Sequence, residues 1–172
     1  MDSLVITDEL KKEIRQAIYD IENNLKSIDS VDFNTYIGDN EACPLKHSFS
    51  DGIYVREIFI PKGMLLTGKI HKHKHPNFLL KGEVMVLTET GGTEILKAPR
   101  SMISEPGTKR ALYAITDLVW TTIHHNPTNT QDLKKLEKIV IAKDYKEYDK
   151  FISSEKGVVN KIKNKIIKML SL

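Results

Sequence analysis

The spacing of hydrophobic positions changes twice along the chain. In residues 8–28, Leu10, Ile14, Ala17, Ile18, Ile21, Leu25 and Ile28 recur at three- and four-residue steps. That spacing puts them on one face of an amphipathic α-helix. Thr7 is a suitable N-cap, and Asp8 and Glu9 suit the positive end of the helix. Residues 29–52 hold Asp, Ser, Asn, Gly and Pro and read as an irregular connection. From Gly52 to His125 the runs become short: IYVREIFI (53–60), MLLTGKIH (64–71), EVMVLTE (83–89), TEILKA (93–98), LYAI (112–115) and LVWTTIH (118–124). Turn signals separate them at Pro61-Lys62-Gly63, Lys81-Gly82, Gly91-Gly92, Pro99, Pro106-Gly107 and Asp117. Short strands at such intervals predict an all-β sandwich or barrel.

Beyond the Asn126-Pro127 turn, the pattern suits a short helix at 130–138, a strand at 139–142 and a helical stretch at 144–152. The tail then carries Val158, Ile162, Ile166 and Leu170 at four-residue steps with lysines on the other side, a basic amphipathic helix. There is no internal repeat. The expected plan is a single domain, 1–172, mainly β. It comprises an N-terminal helix at 8–28, a barrel at 45–127 and a Lys-rich C-terminal helical extension at 130–172.

Composition narrows the class. A lone cysteine, Cys43, excludes an internal disulfide framework and a Cys-rich zinc site. No apolar run approaches the ~20 residues of a membrane span. The opening MDSLVITDELKKEIR lacks the layout of a signal peptide, so a cytoplasmic protein is expected. The net charge of +3 hides an asymmetry, because residues 134–172 carry 11 lysines against 5 acids. Such a tail suits nucleic acid, an anionic membrane or an acidic face of its own protein. No aromatic–basic interleaving marks a nucleic-acid surface. A nucleic-acid polymer is therefore not the expected partner, and packing on its own domain or on a second copy is.

Candidate chemistry concentrates on histidine. Five of six histidines fall at 71, 73, 75, 124 and 125. Alternate residues of a strand share a face. If one strand runs through 75, then His71, His73 and His75 point one way, and Lys72 and Lys74 the other. His124 closes LVWTTIH and is the natural fourth member. The set His71, His73, His75 and His124 is thus the candidate metal-ligand group, for one divalent ion or none. His71, His73 and His124 are the candidate catalytic residues, since imidazole also serves acid–base chemistry near neutrality. Pro76 is expected to end the regular run. Lys109 and Arg110 follow a Glu105-Pro106-Gly107-Thr108 turn and suit an oxyanion. With Tyr54 and Arg56 they form the candidate substrate-binding group. His47 is expected to be structural.

The stretch GMLLTGKIHKHKHPNFLLKGEVMVLTETGGTEILKAP, with EPGTKR and LVWTTIHH, resembles the cupin superfamily over roughly residues 45–127. CPLKHSFSDGIYVREIFIPKGM with GKIHKHKH and TTIH is similar to small cupin proteins often encoded by bacteriophages. The resemblance implies an antiparallel jelly-roll barrel that dimerises or forms a higher homo-oligomer. His71 and His73 match the His-x-His pair of that family. The carboxylate expected next is absent, with Asn77 or Phe78 near its place, and Gly82 comes early. Arg110 stands where the second-motif histidine belongs, and Ala114 replaces the usual Asn. His75 and His124 are the residues available to complete the set.

Three functions follow as expectations. The first is a pocket enzyme cleaving a small phosphate-containing anion, such as a nucleotide or cyclic nucleotide, with a host-defence signal in host cytoplasm as the target if the source is viral. The second is a metal-dependent oxygenase, isomerase or lyase acting on a small organic acid through Zn, Mn, Fe or Ni. The third is a sequestering module without turnover.

Overall fold

The computed structural model describes residues 7–26 and 42–170. Ile28 of the expected helix and most of the 29–52 connection lie outside the described residues. Helix α1 (Asp8–Lys26) is followed by ten strands: β1 (Leu45–Ser50), β2 (Ile53–Ile60), β3 (Leu65–Thr67), β4 (Ile70–His71), β5 (His75–Lys81), β6 (Glu83–Thr88), β7 (Gly92–Lys97), β8 (Arg100–Ser104), β9 (Arg110–Ala114) and β10 (Leu118–His125). Helix α2 (Leu133–Val140), the two-residue strand β11 (Ile141–Ala142) and helix α3 (Tyr145–Leu170) complete the chain.

The strands form one sheet of order β1-β2-β10-β5-β8 and a second of order β3-β9-β6-β7, with β4 paired to β11. Every pairing is antiparallel. Setting β1 aside, this is the strand order of an eight-stranded jelly roll. The two sheets close on one core. Ile60, Leu79, Leu118 and Trp120 from the first meet Val84, Val86, Leu96 and Ala114 from the second.

Three strands depart from the sequence pattern. Segment 45–50 is a strand, although it lies in a stretch read as irregular; its burial alternates, and it pairs along its whole length with β2. Residues 100–104 also form a strand, with no apolar run to announce it, because the edge of β5 holds them. Pro76 does not end a strand. It is the second residue of β5, close to a strand start, where a missing N–H is tolerated. In the tail, α3 is continuous from Tyr145 through Gly157.

Along the inner face of the first sheet the character changes from one end to the other. Ile58 pairs with Trp120, which pairs with Leu79. Two residues further along, Arg56 pairs with Thr122, which pairs with Asn77. One more step sets Tyr54 beside His124, while His75 lies beside Ser104. The barrel therefore has an apolar end and a polar end, and the histidines lie at the latter.

The helices brace this arrangement. Lys109 Nζ, buried, lies 3.1 Å from the buried Glu22 carboxylate of α1. Losing one member of such a pair leaves an uncompensated buried charge, a cost of about 3–5 kcal/mol. The first turns of α3 cover the polar end. Glu147 meets Lys72 at 3.1 Å, and the Phe151 ring meets the His73 ring edge-on at 5.4 Å. Tyr148 sits directly over Gly107, where a Cβ would come 2.7 Å from its ring.

Gly82 links β5 to β6 with a φ of +91°, and a Cβ there would lie 2.2 Å from the Asp117 carbonyl oxygen. Both constraints exclude a side chain. Gly82→Ala is therefore expected to lower stability by more than ~2 kcal/mol, read as a reduced urea midpoint with unchanged slope.

Candidate metal centre

Three histidines converge at the polar end. His75 of β5 and His124 of β10 lie on adjacent strands, with ring centroids 4.8 Å apart. The Asn77–Thr122 pairing two residues away sets this register. His71 of β4 completes the group, at 4.2 Å from His75 and 5.0 Å from His124. One ring nitrogen from each lies within 4.8 Å of the other two. The group contains no carboxylate.

His71 is held from both sides. The Gly107 N–H donates to its carbonyl at 2.8 Å, and β11 pairs with β4 through Ile141. Gly107 adopts a φ of +81°, which glycine reaches without steric cost.

Hydrogen bonds assign the tautomers of the other two rings. His75 Nδ1 lies 3.1 Å from the His73 carbonyl, which can only accept. Nδ1 therefore carries the proton, and Nε2 carries a lone pair. That Nε2 is buried and has no hydrogen-bond partner among the described residues. The Thr122 hydroxyl donates to the Arg56 carbonyl at 3.3 Å, so it accepts from His124 Nε2 at 3.0 Å. His124 Nδ1 is then the nitrogen with the lone pair. A backbone carbonyl or hydroxyl bound to one ring nitrogen is how ligating histidines are oriented.

Burial keeps the rings neutral. Desolvation pushes His71 well below its ordinary value, aided by His75, His124, Arg56 and Arg110. His75 is lowered to about 4, mostly by burial and partly by Arg110, against the opposing pull of the His73 carbonyl. His124 is lowered to about 3 by burial, then by His75 and Arg56. At neutral pH all three present lone pairs, the state a metal requires. Three nitrogens arranged tetrahedrally on one ion with bonds of ~2.0–2.1 Å lie about 3.4 Å apart, so atoms now within 4.8 Å of one another need to close by roughly an ångström or somewhat more. The donor set fits a divalent transition metal.

Two arginines flank the group. Arg56 shares its row with Thr122, one step from His124, and its charge acts on His71 and His124. The Arg110 guanidinium is largely buried and donates to Ser104 Oγ at 2.6 Å. Asn77 Nδ2 donates to the same hydroxyl at 2.5 Å, and Trp120 Nε1 donates to Asn77 Oδ1 at 3.2 Å. Arg110 also lines a cleft of about 180 Å³ together with Thr88, Met102 and Thr108. Tyr54 stacks on His124 at 5.8 Å, and its hydroxyl lies 2.7 Å from His47 Nδ1.

Sequence-predicted residues thus divide. His71, His75 and His124 come together, with Tyr54, Arg56 and Arg110 around them. His73 does not join them. β4 stops at His71, the chain bends at 72 and 73, and the His73 ring turns outward onto Phe151. Lys109 points away from Arg110, as neighbours in an extended chain must, and meets Glu22 and the Gly68 carbonyl. Ser104, Asn77 and Thr122 were missed, although Asn77 and Thr122 each stand two residues from a clustered histidine, on the same face.

No protein-family model matches the sequence, and no curated protein matches it. Solved structures do. Ectoine synthase from P. lautus matches at 13% identity and TM-score 0.48, over 58% of this chain and 75% of its own. An RmlC-like cupin from Shewanella frigidimarina matches at 16% and 0.44, over 62% and 91%. A cupin superfamily protein from Desulfitobacterium hafniense matches at 10% and 0.43, over 51% and 81%. What decides the architecture is the strand order, β2-β10-β5-β8 in one sheet and β3-β9-β6-β7 in the other. The fold is an antiparallel jelly-roll barrel. In this barrel three buried histidines gather without an acid.

The lowered histidine pKa values link stability to pH. A folded-state pKa below the unfolded value of about 6.5 means the stabilisation is complete above 6.5 and is lost as pH falls towards 4. The urea midpoint of the metal-free protein is expected to fall between about pH 7 and about pH 4.5, and the fall should be shallower in His75→Gln.

Proposed function

We propose that this protein is a metal-dependent enzyme of cupin type acting on a small oxyanion ligand. One divalent ion would be held by His71, His75 and His124, and the anion by Arg110 and Arg56. The observation that carries the reading is the convergence of one nitrogen from each of three buried histidines within 4.8 Å. The lowered pKa values favour ligation over proton transfer, since a ring with a pKa of about 3 is not an acid reservoir at neutral pH.

A bound divalent ion would supply Lewis acidity towards a ligand oxygen or an activated water. The chain's own residues do the rest. Arg110, fixed by Ser104, offers a planar donor set that forks onto a carboxylate or a phosphate. Arg56 adds positive charge beside His124. Tyr54, wedged between His47 and His124, fixes the His124 ring and closes that side of the pocket. The apolar end behind Trp120 keeps bulk water from the site's rear. The neutral three-nitrogen set accommodates Zn, Mn, Fe or Ni.

Metal analysis of the purified protein is expected to show one divalent ion per chain. His71→Ala and His124→Ala should each lose it, while His73→Ala should keep it. Retention in both of the first two would remove the three-histidine site. Thermal shifts with inorganic phosphate, nucleotides and small organic acids then assign the anion, and Arg110→Ala should abolish the response. Product formation from the stabilising compound separates enzyme from binder.

A further inference from the structure

The two halves of α3 differ in what they touch. The first turns grip the barrel through Glu147, Tyr148 and Phe151. From residue 153 onward nearly every described side chain is exposed. Val158, Val159, Ile162, Ile166 and Met169 are 51–68% exposed. Large aliphatics at such spacing are ordinarily covered by something. The expected docking of this stripe on the protein's own domain does not occur among the described residues.

At 100° per residue these five side chains fall in a stripe about 100° wide. Lys156 and Lys163 flank it on one side, and Lys161 and Lys165 on the other, all exposed. Residues 153–170 hold five lysines and a single acid, Glu155. A second copy pairing through the same stripe would bring these lysines against their own counterparts, with almost no acid to compensate. An anionic bilayer offers both complements at once: acyl chains for the aliphatic stripe and phosphate or carboxylate headgroups for the flanking lysines. No described helix is long and apolar enough to cross a membrane, so the geometry is that of a helix lying in the interface.

We propose that the exposed half of α3, residues 153–169, binds the surface of anionic lipid membranes. This does not depend on the chemistry of the histidine site. The lysines draw the helix to the negative surface and the stripe then inserts between headgroups. The docked half holds the barrel at that surface.

The test is flotation of the full chain with phosphatidylcholine vesicles, alone or with about 30 mol % phosphatidylserine. Binding is expected with the mixed vesicles only, and should weaken as salt rises from about 0.1 M to about 0.5 M. Each lysine near the surface contributes about fivefold, so Lys163→Glu with Lys165→Glu should weaken binding more than tenfold. Ile162→Asp with Ile166→Asp should do the same, whereas Lys46→Glu with Lys81→Glu, on the barrel, should leave it unchanged. These sites are exposed, so the thermal midpoint should hold in all three. Equal binding to neutral vesicles would overturn the proposal, as would no binding to either kind. So would a self-associated species in solution that Ile162→Asp disperses, which would assign the stripe to a second copy.

Discussion

Three imidazoles share one water-poor space, and they can do so only uncharged. Two protonated rings at centroid separations of 4–5 Å would repel strongly where little water screens them. Much of the surrounding structure serves this condition. The His73 carbonyl and the Thr122 hydroxyl each bind one ring nitrogen and so fix how the ring sits. Arg56 and Arg110 add positive potential that opposes protonation further. The same potential favours an anion, so neutral imidazoles and an electropositive wall arise from one arrangement of charge.

The inner face of the barrel is graded, and one hydrogen-bonded chain marks the change. Trp120 belongs to the apolar core by its ring and to the polar end by its N–H. From there the chain runs through Asn77 and Ser104 to Arg110. Each polar group in this series is buried next to a partner, which removes most of the desolvation cost of placing it inside a barrel. Such a chain also fixes the guanidinium, since its neighbours are themselves fixed by strand pairing.

Much of this was legible in the residues. Short runs between turn signals gave the barrel, and spacing gave the cluster at 71–75 and 124. What failed was the assumption that one strand spans 71 to 75. Strict alternation holds only while the backbone stays extended, and the bend at 72 and 73 releases His73 to the outside. The side chains there meet Glu147 and Phe151, more than seventy residues away, so no local pattern announces the bend. Lys109 and Arg110 show the same limit: their opposite directions follow from the strand, but the partner that buries Lys109 lies 87 residues upstream. Strands β5 and β8 escaped notice because a proline opens one and the other lacks an apolar run; pairing with neighbours defines both.

The contact of Tyr148 with Gly107 is a trade of volume between two distant parts of the chain. The tyrosine ring fills the space that a side chain at 107 would occupy, and the turn's left-handed backbone is open to glycine. Because that same turn supports the His71 carbonyl, the helix, the turn and the histidine are fitted to one another. A variant that enlarges residue 107 must shrink residue 148 and still bear a strained left-handed backbone, or lose the helix from the barrel mouth. One that shortens the helix leaves a hollow beside His71 that only a new covering segment can fill.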